Sequence, residues 1–234
     1  MSASFFRFKQ FVISHDLCAM KTGTDGVLLG AWTHCADAAA ILDVGTGSGL
    51  IALMLAQRSK GTIDAIDIDE NAYKQAKINF AHSPFAEQVN AFHVDFLHYA
   101  PSHKYDLIVS NPPYFMDSSP SPYAARTTAR HNCTLNLDEL VQKSTELLSS
   151  NGRLSLIVPI GAFDLLQSIT TLNNLYLTRK TVVRSLENRP PKRTLLEYSK
   201  QMNELDENEF FIENSNHTYS PEYIELTKSY YLAF

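Results

Sequence analysis

Short apolar runs recur along the first two thirds of the chain, and amphipathic stretches separate them. Residues 39–44, 62–67, 89–94, 105–110 and 153–158 read as buried strands. Residues 50–58, 70–80, 136–150 and 162–171 carry helical apolar spacing, and Asn151-Gly152 reads as the stop signal of the third of these helices. Such regular alternation predicts right-handed βαβ crossovers and a parallel sheet covered on both faces. Beyond Leu175 the pattern changes. Residues 175–186 and 194–199 read as two strands with no helix between them, an antiparallel pair joined by Asn188-Arg-Pro-Pro-Lys-Arg193. The expected architecture is one α/β domain with a seven-stranded, mostly parallel sheet ending in an antiparallel hairpin. Residues 1–38 are expected to form a hairpin-and-helix lid, 39–200 the core, and 201–234 an acidic extension of it.

Composition narrows the setting. A chain of 234 residues suffices for one sizeable core. The first ten residues lack the apolar centre of a signal peptide, and no apolar run nears the roughly 18 residues that span a bilayer. Cys18, Cys35 and Cys133 are scattered and sit in no CxxC pair, so no metal and a cytoplasmic location are expected. The net charge of −5 is unevenly placed. Residues 179–193 carry six bases (Arg179, Lys180, Arg184, Arg189, Lys192, Arg193) and one acid, whereas residues 201–234 carry seven acids and one base. Local potential, not net charge, attracts phosphate.

Gly45-Thr-Gly-Ser-Gly49 follows the first core strand, where a tight turn lets a ligand lie against backbone and a helix N-terminus. Leu50 stands where a dinucleotide fingerprint wants Gly or Ala, and no GK[ST] is present. Asp67 falls at the tip of the second core strand, placed for ribose hydroxyls. Asp43, Asp67 and Asp95 lie at three successive strand ends. That acidic crevice suits the sulfonium and ammonium of S-adenosylmethionine (SAM) better than a pyrophosphate, and Asp95 is placed for the adenine amine.

The fourth core strand ends in Asn111-Pro112-Pro113-Tyr114. Proline fixes its own φ and holds the preceding residue extended, so this corner is stiff. The Asn111 side-chain oxygen and the Pro112 carbonyl can accept the two hydrogens of an exocyclic NH₂ while Tyr114 stacks on the group that carries it. Methyl transfer to a planar amine is the chemistry suggested.

With these residues the chain resembles the class I SAM-dependent methyltransferases, which share a Rossmann-like domain. More narrowly it resembles the bacterial tRNA1(Val) (adenine-37-N6)-methyltransferase family. The resemblance lies in residues 21–32, 41–49 and 110–114, in Ala129-Arg-His131 with 137–140, and in residues 189–197. It implies that the N-terminal block, with Lys21, Thr24 and Asp25, packs over the methionine end of SAM. The cofactor set expected is then Lys21, Thr24, Asp25, Asp43, Gly45, Gly47, Gly49, Asp67, Ile68, Asp95, Phe96 and Asn111. It also implies that the substrate is an adenine beside a tRNA anticodon; a monomer is expected. Arg126, Arg130, His131, Arg189, Lys192 and Arg193 are the expected RNA contacts, the alternative for the basic hairpin being a solvated charged turn. The rival activity is a protein glutamine N5-methyltransferase, whose amide NH₂ the same corner would grip. A SAM-binding module without chemistry is the non-enzymatic alternative.

Overall fold

The runs that the apolar pattern marks as strands assemble into one central sheet, whose inner members are apolar on both faces and whose edge at residues 89–93 is largely exposed. The computed structural model describes residues 5–18, 22–113 and 135–234. Two short strands, β1 (Phe5–Arg7) and β2 (Val12–Ser14), pair as a separate antiparallel hairpin ahead of helix α1 (Thr24–Trp32). Then come β3 (Ala40–Val44), α2 (Leu50–Ala56), β4 (Thr62–Asp67), α3 (Glu70–Ala81), β5 (Val89–His93) and β6 (Tyr105–Ser110). After the undescribed residues 114–134 follow α4 (Leu137–Leu147), β7 (Leu148–Pro159), α5 (Phe163–Leu172), β8 (Tyr176–Leu186), β9 (Arg193–Ser199), β10 (Asp206–Glu213) and α6 (Pro221–Thr227).

The main sheet runs β10-β8-β9-β7-β6-β3-β4-β5. Strands β3 to β7 pair in parallel, and β9 pairs antiparallel with β7 and β8, as the change in pattern predicts. The chain leaves β3 for β4 on one side and returns to β6 on the other. The crevice at the carboxyl ends of β3 and β6 is therefore the point where strand order reverses, the usual ligand site of such sheets.

Two expectations need correction. The sheet has eight strands, not seven. The extra strand, β10, lies in the acidic segment and pairs parallel with β8, from Asp206 beside Arg179 to Glu213 beside Leu186. The helix expected to reach residue 150 stops at Leu147, and Asn151-Gly152 lies inside β7. A Cβ at Gly152 would come within 2.8 Å of the Tyr105 carbonyl, where the β6–β7 register shifts, so this glycine serves a bulge and not a helix end.

Helices cover both faces of the sheet. One core lies beneath α1, α2, α3 and α6, the other beneath α4 and α5. Helix α1 is buried from Gly26 to Trp32. A Cβ at Gly26 would lie 3.0 Å from Leu50 Cδ2, and one at Gly30 would lie 2.7 Å from Met54 Sδ. Matching pairs four residues apart mean that α1 and α2 run in the same direction in close contact. Their N-termini therefore meet at the crevice. The Phe8 and Phe11 rings stack at 4.8 Å and are buried, whereas Phe6 stays partly exposed. Lys9 Nζ donates to the carbonyls of Lys228 and Phe234, tying this hairpin to the last helix and tail.

Candidate active site

The glycine turn is built by the strands beneath it. Its Gly45 and Thr46 amides both donate to the Ile66 carbonyl at 3.0 Å. Gly45 (φ 71°) and Gly47 (φ 57°) adopt backbone that L side chains rarely take, and a Cβ at either would meet nothing within 4 Å. The turn is thus bent by its glycines and leaves open space on its outer side. Gly49 (φ 84°) faces inward, and a Cβ there would lie 2.3 Å from Phe80 Cε1.

The three strand-end acids take different roles. Asp43 is fully buried under the turn, where Oδ2 accepts from the Thr46 hydroxyl at 2.7 Å and the Ala52 amide at 3.2 Å. Its Oδ1 is buried without a partner among the described residues. Burial pushes its carboxyl up to about 7, against the pull of those two hydrogen bonds. Asp67, at the tip of β4, accepts from the Gly47 amide at 2.8 Å and the Asp69 amide at 2.9 Å, and burial raises its pKa as well. Asp95 caps a short 3-10 turn (Phe96–His98), accepting from the Leu97 amide and from His98 Nδ1. Ile68 is half-exposed just beyond Asp67, and its carbonyl is held by His93 Nε2 at 3.0 Å. The Phe96 ring is buried in the core beneath α4 and α5.

Adjacent pairing brings the Asn-Pro-Pro corner to this turn. Ser110 stands beside Val44 across the β3–β6 ladder, and its hydroxyl donates to the Val44 carbonyl at 2.8 Å. Gly45 and Asn111 therefore leave neighbouring strand ends together. Asn111 is partly exposed, Pro112 buried and Pro113 exposed. Lys21, Tyr114, Arg126, Arg130 and His131 lie outside the described residues.

The basic run meets its partners across strands. Arg179 pairs with Glu197 at 3.5 Å, Lys180 with Glu207 at 2.8 Å, Arg184 with Glu209 at 2.5 Å and Arg193 with Asp25 at 2.8 Å. Two of these acids belong to β10, so the acidic segment neutralises the basic strand beside it. Arg189 and Lys192 sit exposed at the β8–β9 turn, with no side-chain ion pair among the described residues. Because β9 runs antiparallel to β7, with Arg193 beside Pro159, this turn lies at the carboxyl end of the parallel strands, the side that holds the crevice. Thr24 opens α1 and Asp25 lies in its first turn.

Two residues of α3 escaped the sequence reading. Asn79 Nδ2 donates to the carbonyls of Ser14 and Ser48, both at 2.8 Å, and its Oδ1 accepts from the Ser14 amide. Gln75 Oε1 accepts from the Leu17 amide at 3.0 Å. Both amides are buried and lock the end of β2 and the segment after it along α3 against the glycine turn. Their signal was two amide side chains, i and i+4, on the inward face of an amphipathic helix. Among the described residues no group of three His, Cys, Asp or Glu side chains is placed to hold a metal ion.

SAM fits these residues. Open space over Gly45 and Gly47, an unpartnered buried Asp43 oxygen beneath the turn, and Asp67 beyond it match a cationic nucleoside. The comparisons agree. Residues 22–169 match the family model for the methyltransferase small domain. A tRNA1(Val) (adenine(37)-N6)-methyltransferase of Bacteroides fragilis is 46% identical over 235 aligned residues, 99% of both chains. Among solved structures, a predicted O-methyltransferase of Agrobacterium tumefaciens superposes with a TM-score of 0.70 at 16% identity, covering 88% of this chain and 96% of its own. An N-methyltransferase of Bradyrhizobium japonicum, solved with S-adenosyl-L-homocysteine, superposes at 0.54 with 14% identity, covering 76% and 85%. At such identities these two share the fold. The cofactor is SAM, and the chain belongs to the family of tRNA1(Val) (adenine(37)-N6)-methyltransferases, within the methyltransferase small domain family.

Proposed function

We propose that this enzyme methylates N6 of adenine-37 in the anticodon loop of tRNA1(Val). The observation that supports it most is the Val44–Ser110 pairing, which starts the glycine turn and the Asn-Pro-Pro corner from neighbouring strand ends. The cofactor side and the amine side of one reaction then share one crevice.

Adenine N6 is a poor nucleophile because its lone pair is delocalised into the ring. The Asn111 side-chain oxygen and the Pro112 carbonyl each accept one N6–H, which returns electron density to nitrogen and fixes the direction of its lone pair. Both acceptors sit on a corner stiffened by two prolines, so little reorganisation is left for the reaction itself. SAM supplies the methyl group and a neutral thioether leaving group when bound. No side-chain base is required, because the methylated amine is acidic enough to lose its proton afterwards. Tyr114 stacks on the base once it has left its own stack, a contact worth about 1–3 kcal/mol. Arg189 and Lys192 hold phosphates without reading sequence.

The test is mass spectrometry of nucleosides from purified valine tRNA and from bulk tRNA, each incubated with the enzyme and methyl-labelled SAM. Label in N6-methyladenosine at the base 3′ of the valine anticodon is the expected result. Labelled glutamine in protein, with every RNA unlabelled, would replace this reading by the amide one.

A further inference from the structure

The Arg193–Asp25 ion pair joins two parts of the molecule that face different ligands. Asp25 lies in the first turn of α1, whose Gly26 packs on Leu50, the residue that follows the glycine turn. Any movement of the α1 start therefore moves a wall of the cofactor crevice. Arg193 ends the β8–β9 turn, directly after exposed Lys192. Its Nε donates to Asp25 Oδ2 at 2.8 Å, and its Nη1 donates to the Lys192 carbonyl at 3.1 Å. No partner for Nη2 is present among the described residues. Roughly a third of each side chain is solvent-accessible (34% for Arg193, 29% for Asp25), so the pair is reachable from solvent without being dissolved in it.

We propose that Arg193 is a positioning residue that couples RNA-backbone binding to cofactor binding through Asp25. The guanidinium is a planar fork: it can hold the Asp25 carboxylate on one edge while its Nη2 meets an RNA phosphate on the other. A phosphate there orders Arg193, and Arg193 orders the start of α1. A cofactor in the crevice orders the same turn from the opposite side. Each ligand then bears part of an ordering cost that the other no longer meets, which is positive coupling, and it is reciprocal. Arg179, Lys180 and Arg184 have no such role, because their acids lie on neighbouring strands of the sheet and not on a wall of the crevice.

This inference rests on the tRNA reading, and its test separates the two. The affinity for S-adenosylhomocysteine is measured by calorimetry with and without a valine anticodon stem–loop RNA. The wild type, R193Q, R193K, D25N and the R193Q/D25N double variant are compared, each checked for a cooperative thermal transition. In the wild type, RNA is expected to tighten the cofactor product at least about fivefold, the low end of typical coupling. R193Q and D25N each bring that ratio close to one, the double variant lowers it no further, and R193K retains an intermediate ratio because it keeps charge without the fork. An RNA affinity that falls in R193Q equally with and without the cofactor product, at an unchanged coupling ratio, makes Arg193 an ordinary phosphate ligand and overturns the proposal. An unchanged ratio in D25N does the same. Should the wild type bind no RNA, the tRNA reading fails and takes the coupling with it. If D25N loses its cooperative transition, R193Q and R193K still decide the matter, because their lesion lies on the opposite partner.

Discussion

The crevice at the tips of β3 and β4 and the sheet edge formed by β8 and β10 are both dense in charge, and they dispose of it differently. At the crevice, acids are answered by backbone: Asp67 takes two amides, and Asp43 takes an amide and a hydroxyl and keeps one oxygen unmet. Negative charge is left over for a cationic ligand. At the edge, charge is answered by charge, and Lys180 and Arg184 meet Glu207 and Glu209 across a parallel ladder. Little is left over there. Of the basic run, only the turn residues Arg189 and Lys192 face outward without an acid among the described residues. A cluster of charge in sequence thus becomes a binding surface only where the fold withholds its counter-charge.

The sharpest way to break the comparison is at the corner itself. Asn111→Ala is expected to lower kcat roughly 100- to 1,000-fold, the scale of losing one preorganised hydrogen-bonding group. The affinity for S-adenosylhomocysteine should change less than about twofold. A large loss of that affinity instead would move Asn111 from the amine to the cofactor.

Glycines of the turn separate shape from ligand space. Gly49→Ala combines a left-handed backbone with a Cβ pressed onto Phe80, and is expected to cost roughly 2–4 kcal/mol. Calorimetry should show the transition lowered by about 5–12 °C. Gly45→Ala meets no atom within 4 Å, so its cost is backbone strain alone, about 1–2 kcal/mol, while its methyl intrudes where the cofactor lies. Equal loss of cofactor affinity in both variants, scaled to their stability, would deny that Gly45 borders the ligand.

Asp43 makes the crevice sensitive to pH. Burial raises its carboxyl from 3.8 to about 7, so the folded chain keeps a proton that the unfolded chain releases. Stability of the cofactor-free protein therefore falls as pH rises from about 4 to about 7 and then levels, and Asp67, raised for the same cause, adds slope of the same sign. A cationic cofactor favours the ionised carboxylate, so SAM affinity rises through the same window. Thermal unfolding between pH 5 and 8 should show a decline without SAM and a nearly flat course with saturating SAM in the wild type, and two flattened curves in Asp43→Asn.

The smallest effects are at the edge. Glu209→Gln should alter stability by less than about 1 kcal/mol, as exposed pairs do. It frees Arg184, and the log–log salt slope of RNA binding should steepen by about one, whereas Lys192→Gln should make it shallower by about one. A slope that does not move in Glu209→Gln would mean that Arg184 is out of reach of the RNA, with or without its acid.

The parallel core was legible in the sequence because its strands are apolar on both faces and its turns carry Gly or Pro. Asp43, Asp67 and Asp95 were placed at strand ends by the same reasoning, but the partners that distinguish them were not, since each depends on amides brought in by the fold. Strand β10 went unread because Asp-Glu-Asn-Glu-Phe-Phe-Ile-Glu has no apolar alternation; as an edge strand it buries little, and its charges are matched by β8. The Arg193–Asp25 pair spans 168 positions, and no local pattern announces a contact of that kind. Gln75 and Asn79 were legible in principle, as amides at core positions.

Asn79 also sets an order of events during synthesis. The hairpin of β1 and β2 leaves the ribosome before α3, yet one side chain that fastens it lies 65 residues later. Such a distant contact forms only after the intervening loop has closed, which slows it relative to local structure. Until α3 has emerged and folded, β1 and β2 lack this fastening and the glycine turn lacks its Asn79 brace. The nascent chain thus gains its cofactor crevice late, as a product of assembly across the whole N-terminal half.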